Sequence, residues 1–419
     1  MPKKYVSRVI DSFIEKRLES AGAIQIEGSK GCGKTRTAEK FSKSAFYLVD
    51  PNNPGNLSMA LSYPAEALKG GVPRLIDEWQ LAPNLWDAVR FTVDERGEKG
   101  QFILTGSSVP RDDGYHHSGV GRISRVLMRP MSLFESGESD GSVSLGSLFR
   151  GDGITPRESG LRISDLASLV ARGGWPSSVI DGRRDASYAQ DYIEMVSGSE
   201  ISRVDGVRRD PETAMRVIRS LARNVSSTAS VETIAGDVAG DGRAVSAKTV
   251  QQYVGALARI FVSEDVPAWN ASTRSKTAIR TSPKRQLADP SLAAAALGMD
   301  ADGILRDFRT FGLLFESLCV RDLRVYSQPL GGKVFHYRDR YGLEADAVVS
   351  LRDGRWGAVE VKLGIDGVEA GARSLLRLSE RIDHERMNPP SFLAVITGTG
   401  YAHRRGDGVL VVPIGLLGP

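Results

Sequence analysis

Hydrophobic and polar positions along this chain follow two different periods. Short apolar runs at residues 23–26, 45–50, 74–78 and 101–108 are bounded by polar or glycine-rich turns and read as buried strands of a parallel sheet. Apolar residues at helical spacing mark residues 37–42, 161–171, 186–196, 246–257 and 311–319 as helices. Asp210-Pro211-Glu212 opens another helix, to about residue 224, with Asp as N-cap and Pro at the first position. Arg216, Arg219 and Arg223 fall on one face of it, and a short helix starts at residues 231–235. Period-two runs return at residues 261–269, 334–338, 344–349 and 356–362 and predict strands. Strands interleaved with helices, over 419 residues, predict an α/β protein of several domains.

Composition narrows the classes. Lys+Arg 55 against Asp+Glu 51 leaves a net charge of +4, so a nucleic-acid surface has to be a local patch. Two cysteines, Cys32 and Cys319, cannot build a disulfide framework, which fits a reducing cytoplasm. No apolar stretch is long enough for a bilayer, and the first residues lack the apolar run of a signal peptide, so a cytoplasmic protein with no membrane partner is expected.

The richest chemistry lies at Gly28-Ser29-Lys30-Gly31-Cys32-Gly33-Lys34-Thr35, between a strand and a helix, with Arg36 next. This fits the phosphate-binding loop G-x-x-x-x-G-K-[ST]. Glycines let backbone N–H groups face a phosphate, and the helix N-terminus adds its positive dipole end. Lys34 is placed to reach the β/γ-phosphates and Thr35 to hold Mg²⁺, which predicts ATP and Mg²⁺ as cofactors. Cys32 needs only to be small.

An apolar strand ending in Asp77-Glu78 supplies what a Walker B element requires: Asp77 for Mg²⁺ and Glu78 to polarise water. At the end of the next strand, Thr105 or Ser107 can sense the γ-phosphate, or Ser107 and Ser108 can cap the turn. Arg122 and Arg125 are candidates for an arginine that meets transition-state charge, in cis or from a neighbouring subunit; the bland alternative is a surface ion pair. His116-His117 lack Cys or acidic partners at ligand spacing and read as a polar loop.

The order of GSKGCGKT, LIDEWQ, FILTGSS and GRISRVLMRPMSLFESG resembles AAA-type ATPases of the additional-strand catalytic glutamate group. Farther on, helix, short helix, longer helix and strand follow winged helix-turn-helix order, with Lys248, Gln251 and Gln252 on the recognition helix. Arg274, Lys276, Arg280, Lys284 and Arg285 form a strip without acidic residues, suited to phosphate contacts or to an interdomain surface.

Near the C-terminus, Asp346 followed by Glu360-x-Lys362 resembles the PD-(D/E)xK nuclease core, although Ala345 stands where that motif has Pro. The resemblance implies Asp346 and Glu360 as Mg²⁺ ligands, Lys362 as the residue that activates water, and Glu316 as the helix acid; a cross-strand ion pair is the alternative for Glu360 and Lys362. The whole layout resembles a family of bacterial and archaeal ATPases that joins an AAA-type domain, a winged helix and a nuclease-like domain. It implies an α/β fold: a P-loop ATPase domain with a parallel sheet at residues 1–150, a helical lid and winged helix at 151–285, and a restriction-endonuclease-like domain at 286–419. The expected function is Mg-dependent ATP hydrolysis coupled to nucleic-acid binding or processing, with an oligomer or protein partner possible. The alternative is a nucleotide-gated DNA- or protein-binding regulator whose nuclease-like domain does not cut.

Overall fold

The computed structural model describes residues 5–108, 119–183, 185–239, 245–270, 282–383 and 387–419. His116, His117, Arg274, Lys276 and Arg280 lie outside these residues. The chain divides into two compact units: Met1–Pro130 with Glu200–Arg209 and Ala256–Val262, and Met131–Ser199 with Asp210–Gly255 and Ser263–Pro419.

The first unit is built on five parallel strands: β1 (Ala23–Glu27), β2 (Ser44–Tyr47), β3 (Arg74–Asp77), β4 (Phe102–Gly106) and β5 (Ile123–Leu127), in the order β2-β3-β4-β1-β5. Strand β4 therefore separates the phosphate-loop strand β1 from β3. Both faces are buried, as a parallel sheet demands. Ile24, Ile26, Leu75, Ile103 and Val126 pack with Ile10 and Ile14 on one side. Ala23, Phe46, Ile76, Phe102 and Leu104 pack with Trp79, Trp86 and Val89 on the other. The helix Lys34–Phe41 follows the loop after β1, starting three residues earlier than the periodicity predicts.

The second unit holds a seven-stranded mixed sheet. Its members are β7 (Arg157–Glu158), β8 (Lys333–Arg338), β9 (Glu344–Ser350), β10 (Trp356–Lys362), β11 (Phe392–Thr397), β12 (Tyr401–Arg404) and β13 (Leu410–Pro413), in the order β7-β12-β13-β11-β10-β9-β8. A separate pair joins β6 (Val143–Ser144) to β14 (Leu417–Gly418). Trp356, Ala358 and Val395 meet Leu375 and Leu378 of the helix Val368–Arg381 in its core.

Three expectations need correction. The expected boundary at residue 150 is too late, because β6 and β7 pair with β14 and β12 at the far end of the chain. The boundary at 285 is no divide either. The helix Pro290–Ala296 is wholly buried and packs on the helices Ile163–Arg172, Ser187–Met195 and Pro211–Arg223. Finally, the strand expected over residues 261–269 is reduced to bridges at Ser263, Val266 and Ala268. Phe261 lies in the left-handed region (φ 56°) and Pro267 lacks an N–H, so the run cannot pair continuously. The helices Pro211–Arg223, Val231–Ala239 and Ala247–Arg259 form as the pattern predicts, and the Asp210 carboxylate accepts the Thr213 N–H at 2.8 Å.

Candidate functional site

The turn after β1 is shaped by glycine. Gly28 has φ 153°, and a Cβ there would lie 2.0 Å from the Met128 carbonyl oxygen, so no side chain fits. Gly33 (φ 106°) turns the chain into the helix Lys34–Phe41. Lys34 is buried, and its Nζ donates to the carbonyls of Gly28 (2.9 Å) and Ser29 (3.0 Å). The Ser29 Oγ is buried without a partner. Arg8 braces the loop from behind, donating to the carbonyls of Cys32 (2.9 Å) and Arg129 (2.8 Å). Cys32 is wholly buried and packs against β1 and β5, so its role is structural. Lys30 pairs with Glu200 at 3.3 Å, and Arg36 pairs with Glu39 at 2.9 Å on an exposed face.

Parallel register brings the remaining parts to the same edge. Asp77 at the end of β3 stands opposite Thr105 on β4, and Thr105 stands opposite Ile26 on β1. One Asp77 oxygen accepts from both Thr35 Oγ1 (2.8 Å) and Thr105 Oγ1 (2.5 Å). Glu78 sits in the left-handed region (φ 57°), which swings it out of the strand. Its carboxylate accepts from Ser107 Oγ at 3.2 Å and from Gln80 Nε2. Ser107 is therefore bonded to the acid instead of merely capping a turn. These oxygens fit a nucleotide with Mg²⁺: an unpartnered Ser29 hydroxyl, a lysine resting on loop carbonyls, and hard donors from Thr35 and Asp77.

Arg122 is elsewhere. Its carbonyl accepts the N–H of Ala23, which places it where β1 begins, whereas the phosphate loop follows where β1 ends. At strand rise the two are about 16 Å apart. Its side chain is exposed and paired with Asp94 at 2.8 Å, so the surface ion pair replaces the expected role within one copy of the chain.

The residues that sequence reasoning missed here are Arg8, Gln80 and Glu27. Burial pushes the Glu27 carboxyl up, partly opposed by Arg125. Only Gln80 left a signal, as a polar residue two positions beyond the Walker B acid.

In the second unit Glu316, Asp346, Glu360 and Lys362 do converge, but around a residue expected elsewhere. Lys284 Nζ lies 2.6 Å from Glu316 Oε1 and 3.2 Å from Asp346 Oδ1. Lys362 Nζ lies 2.6 Å from Glu360 Oε2 and 3.6 Å from Asp346 Oδ2, and the Val361 N–H donates to Asp346 at 2.9 Å. Burial pushes Glu316 up to about 8 and Glu360 up to about 7, with Asp346 adding to both. Burial acts the same way on Asp346, yet the ammonium groups of Lys284 and Lys362 outweigh it and hold this carboxyl below its ordinary range. The same carboxylates keep Lys284 charged despite its burial.

The expected Mg²⁺ ligation by Glu316, Asp346 and Glu360 does not fit this arrangement. Two ammonium groups already bridge the carboxylates, and no group of three His, Cys, Asp or Glu side chains among the described residues is arranged to hold a metal ion. The solvated basic strip also shrinks. Lys284 and Arg285 are both buried, and Arg285 is bound to Asp265 (2.5 Å) and the Ala229 carbonyl (2.9 Å). Lys248, Gln251 and Gln252 are exposed on the helix Ala247–Arg259.

Residues 20–136 match the AAA domain family. Residues 163–303 and 311–417 match two further families, DUF8612 and DUF4143, each described as a domain of unknown function. The AAA match falls on the P-loop sheet and its site, and supports reading that unit as an ATPase. Among curated proteins, the chain is 24% identical over 367 residues to the uncharacterized proteins Rv2008c of Mycobacterium tuberculosis and Mb2031c of Mycobacterium bovis, covering 87% of this chain and 75% of each relative. Among solved structures it is similar to the Walker-type ATPase PABY2304 of Pyrococcus abyssi, with 14% identity and a TM-score of 0.43 over 71% of this chain and 97% of that one. No helix among the described residues is long and apolar enough to cross a membrane.

Proposed function

We propose that the chain is a Mg-dependent ATP hydrolase whose second unit engages nucleic acid without cutting it. The observation that carries the hydrolytic half is the shared Asp77 oxygen, which draws Thr35 of the phosphate loop and Thr105 of β4 to one point beside Glu78.

Backbone N–H groups of residues 28–35 bind the phosphates, and Lys34 exchanges its loop carbonyls for β/γ-phosphate oxygens. The Ser29 hydroxyl gains a partner at the same step. Thr35 and Asp77 would hold Mg²⁺, which neutralises charge building on the phosphates. Glu78 orients the attacking water and accepts its proton as the water oxygen bonds to the γ-phosphorus and the bond from that phosphorus to the β,γ-bridging oxygen breaks, releasing ADP. For that, Glu78 has to exchange one of its present donors, Ser107 or Gln80, for the water. Thr105 would sense the γ-phosphate, a role that its bond to Asp77 supports.

Exposed Lys248, Gln251 and Gln252 support nucleic-acid engagement. Lys284, seated between Glu316 and Asp346, favours binding over cleavage, because a cation built into the chain holds the place that a catalytic metal needs.

The test is phosphate release from ATP with and without Mg²⁺, for the full chain and for Lys34→Ala, together with incubation of plasmid, linear and single-stranded substrates with Mg²⁺ or Mn²⁺. Mg-dependent release that Lys34→Ala abolishes, with all substrates intact, is expected. Cleavage lost in Asp346→Ala would contradict the second half.

A further inference from the structure

Away from the carboxylate cluster, the helix Val368–Arg381 buries Gly371, Ala372, Leu375 and Leu378 against the sheet and turns Arg373 and Arg377 to solvent. Facing them is the turn between β8 and β9. Asp339 ties that turn down: its carboxylate accepts the N–H groups of Tyr341 (2.8 Å) and Leu343 (3.0 Å) and the Arg381 guanidinium (2.9 Å). The Tyr341 ring lies against Arg340 and Arg381, 4.7 and 4.9 Å from its centroid, and remains 66% exposed. Turn and helix together enclose an open pocket of about 610 Å³ whose lining includes Tyr341, Arg373, Arg377 and Arg381.

Two features define what this pocket takes. First, Asp339 is fully used by the turn and Arg381, while Arg373 and Arg377 have no carboxylate partner among the described residues; Glu380 is the one acid in the lining. Two guanidinium groups one helical turn apart, about 6 Å along the axis, are left to neutralise something from outside. Second, the cations of the lining are all arginine. Each presents a planar fork that matches phosphate oxygens with paired hydrogen bonds, where a lysine would offer a point charge. An exposed tyrosine at the rim adds a surface for a sugar or base. The pocket is concave and of small-molecule size, so it fits a strand bent inward and not the convex flank of a duplex.

We infer that Arg373 and Arg377 bind successive phosphates of a single-stranded nucleic acid, with Tyr341 at the rim of the pocket. The inference rests on the nucleic-acid half of the proposed function, to which it adds a site other than Lys248, Gln251 and Gln252, and is independent of ATP hydrolysis.

The experiment is fluorescence anisotropy of the full chain with a short labelled single strand, as DNA and as RNA, against the same sequence as duplex and against a polyglutamate peptide. It compares wild type, Arg373→Ala/Arg377→Ala, Arg373→Lys/Arg377→Lys, and the charge-matched control Lys16→Ala/Lys333→Ala, whose residues are exposed elsewhere. Single-strand affinity should fall about tenfold or more in the alanine variant, and the log–log salt slope should shrink by about 1.4. The lysine variant should keep the slope and lose part of the affinity. The control should bind like wild type, and the alanine variant should keep the wild-type urea midpoint of the second unit, which shows that the unit carrying both arginines is folded. Single-strand binding with the same affinity and slope in the alanine variant overturns the inference. So does a pocket-dependent preference for duplex or polyglutamate.

Discussion

Lys284 and Glu316 meet at 2.6 Å inside the second unit, although 32 residues separate them and both are almost fully buried. A buried ammonium of this kind is held by its partners alone. Replacing it with an apolar residue leaves Glu316 without its closest partner and Asp346 with Lys362 as its one ammonium, at a cost of about 3–5 kcal/mol. Lys284→Met should therefore lower the urea midpoint of the second unit markedly. Lys284→Met/Glu316→Leu, which removes both charges of the shorter pair, should recover a large part of the loss.

Arg122 leads to a prediction of no effect. A transition-state arginine is worth about 10³-fold or more in turnover. Arg122 instead pairs with Asp94 at the end of the sheet away from the phosphate loop. Arg122→Ala should hydrolyse ATP at the wild-type rate at every protein concentration. A loss of turnover that grows with dilution in the wild type and is absent in the variant would restore the role in trans.

His336 gives the second unit a pH dependence of known sign. Burial pushes its imidazole down to about 4 from an ordinary 6.5, and the nearby Lys284 adds to the shift; its Nε2 lies 3.1 Å from the Ser282 carbonyl oxygen. Between pH 6.5 and 4 the unfolded chain takes up the proton first. The stability this neutral histidine supports is present above 6.5 and lost as the pH falls toward 4. Denaturation curves of His336→Gln should flatten over that window by on the order of 1–3 kcal/mol relative to wild type.

Gln80 gives a prediction specific to the first unit. Its amide occupies one Glu78 oxygen, and Ser107 the other. Shortening it to Ala frees an oxygen for water but also loosens the carboxylate. Gln80→Ala should change kcat while leaving the KM for ATP within about twofold, because Gln80 touches the acid and not the phosphate loop. A change confined to KM would remove it from this role.

The P-loop site was largely legible because its parts are local. The spacing from Gly28 to Thr35 carries its own backbone geometry, and Asp77 ends an apolar run that can only be an interior strand. For Arg122 both readings stay open in the sequence because motif order says nothing about which end of a parallel strand a residue occupies; the pairing of Ala23 with Ile123 decides that. The place of Lys284 is hidden for a related reason. In sequence it belongs to a run of cations, and only the bridge to Val266 turns it inward toward Glu316 and Asp346. The domain limits failed because β6 and β7 find their partners more than two hundred residues away, where no local pattern reaches.

The central claim, that the first unit hydrolyses ATP through Glu78, is tested most directly by nucleotide binding and turnover measured on Glu78→Gln in the same preparation. The account predicts ATP affinity like wild type and turnover reduced about 10²-fold or more. Wild-type turnover by Glu78→Gln, with Lys34→Ala inactive beside it, would contradict it.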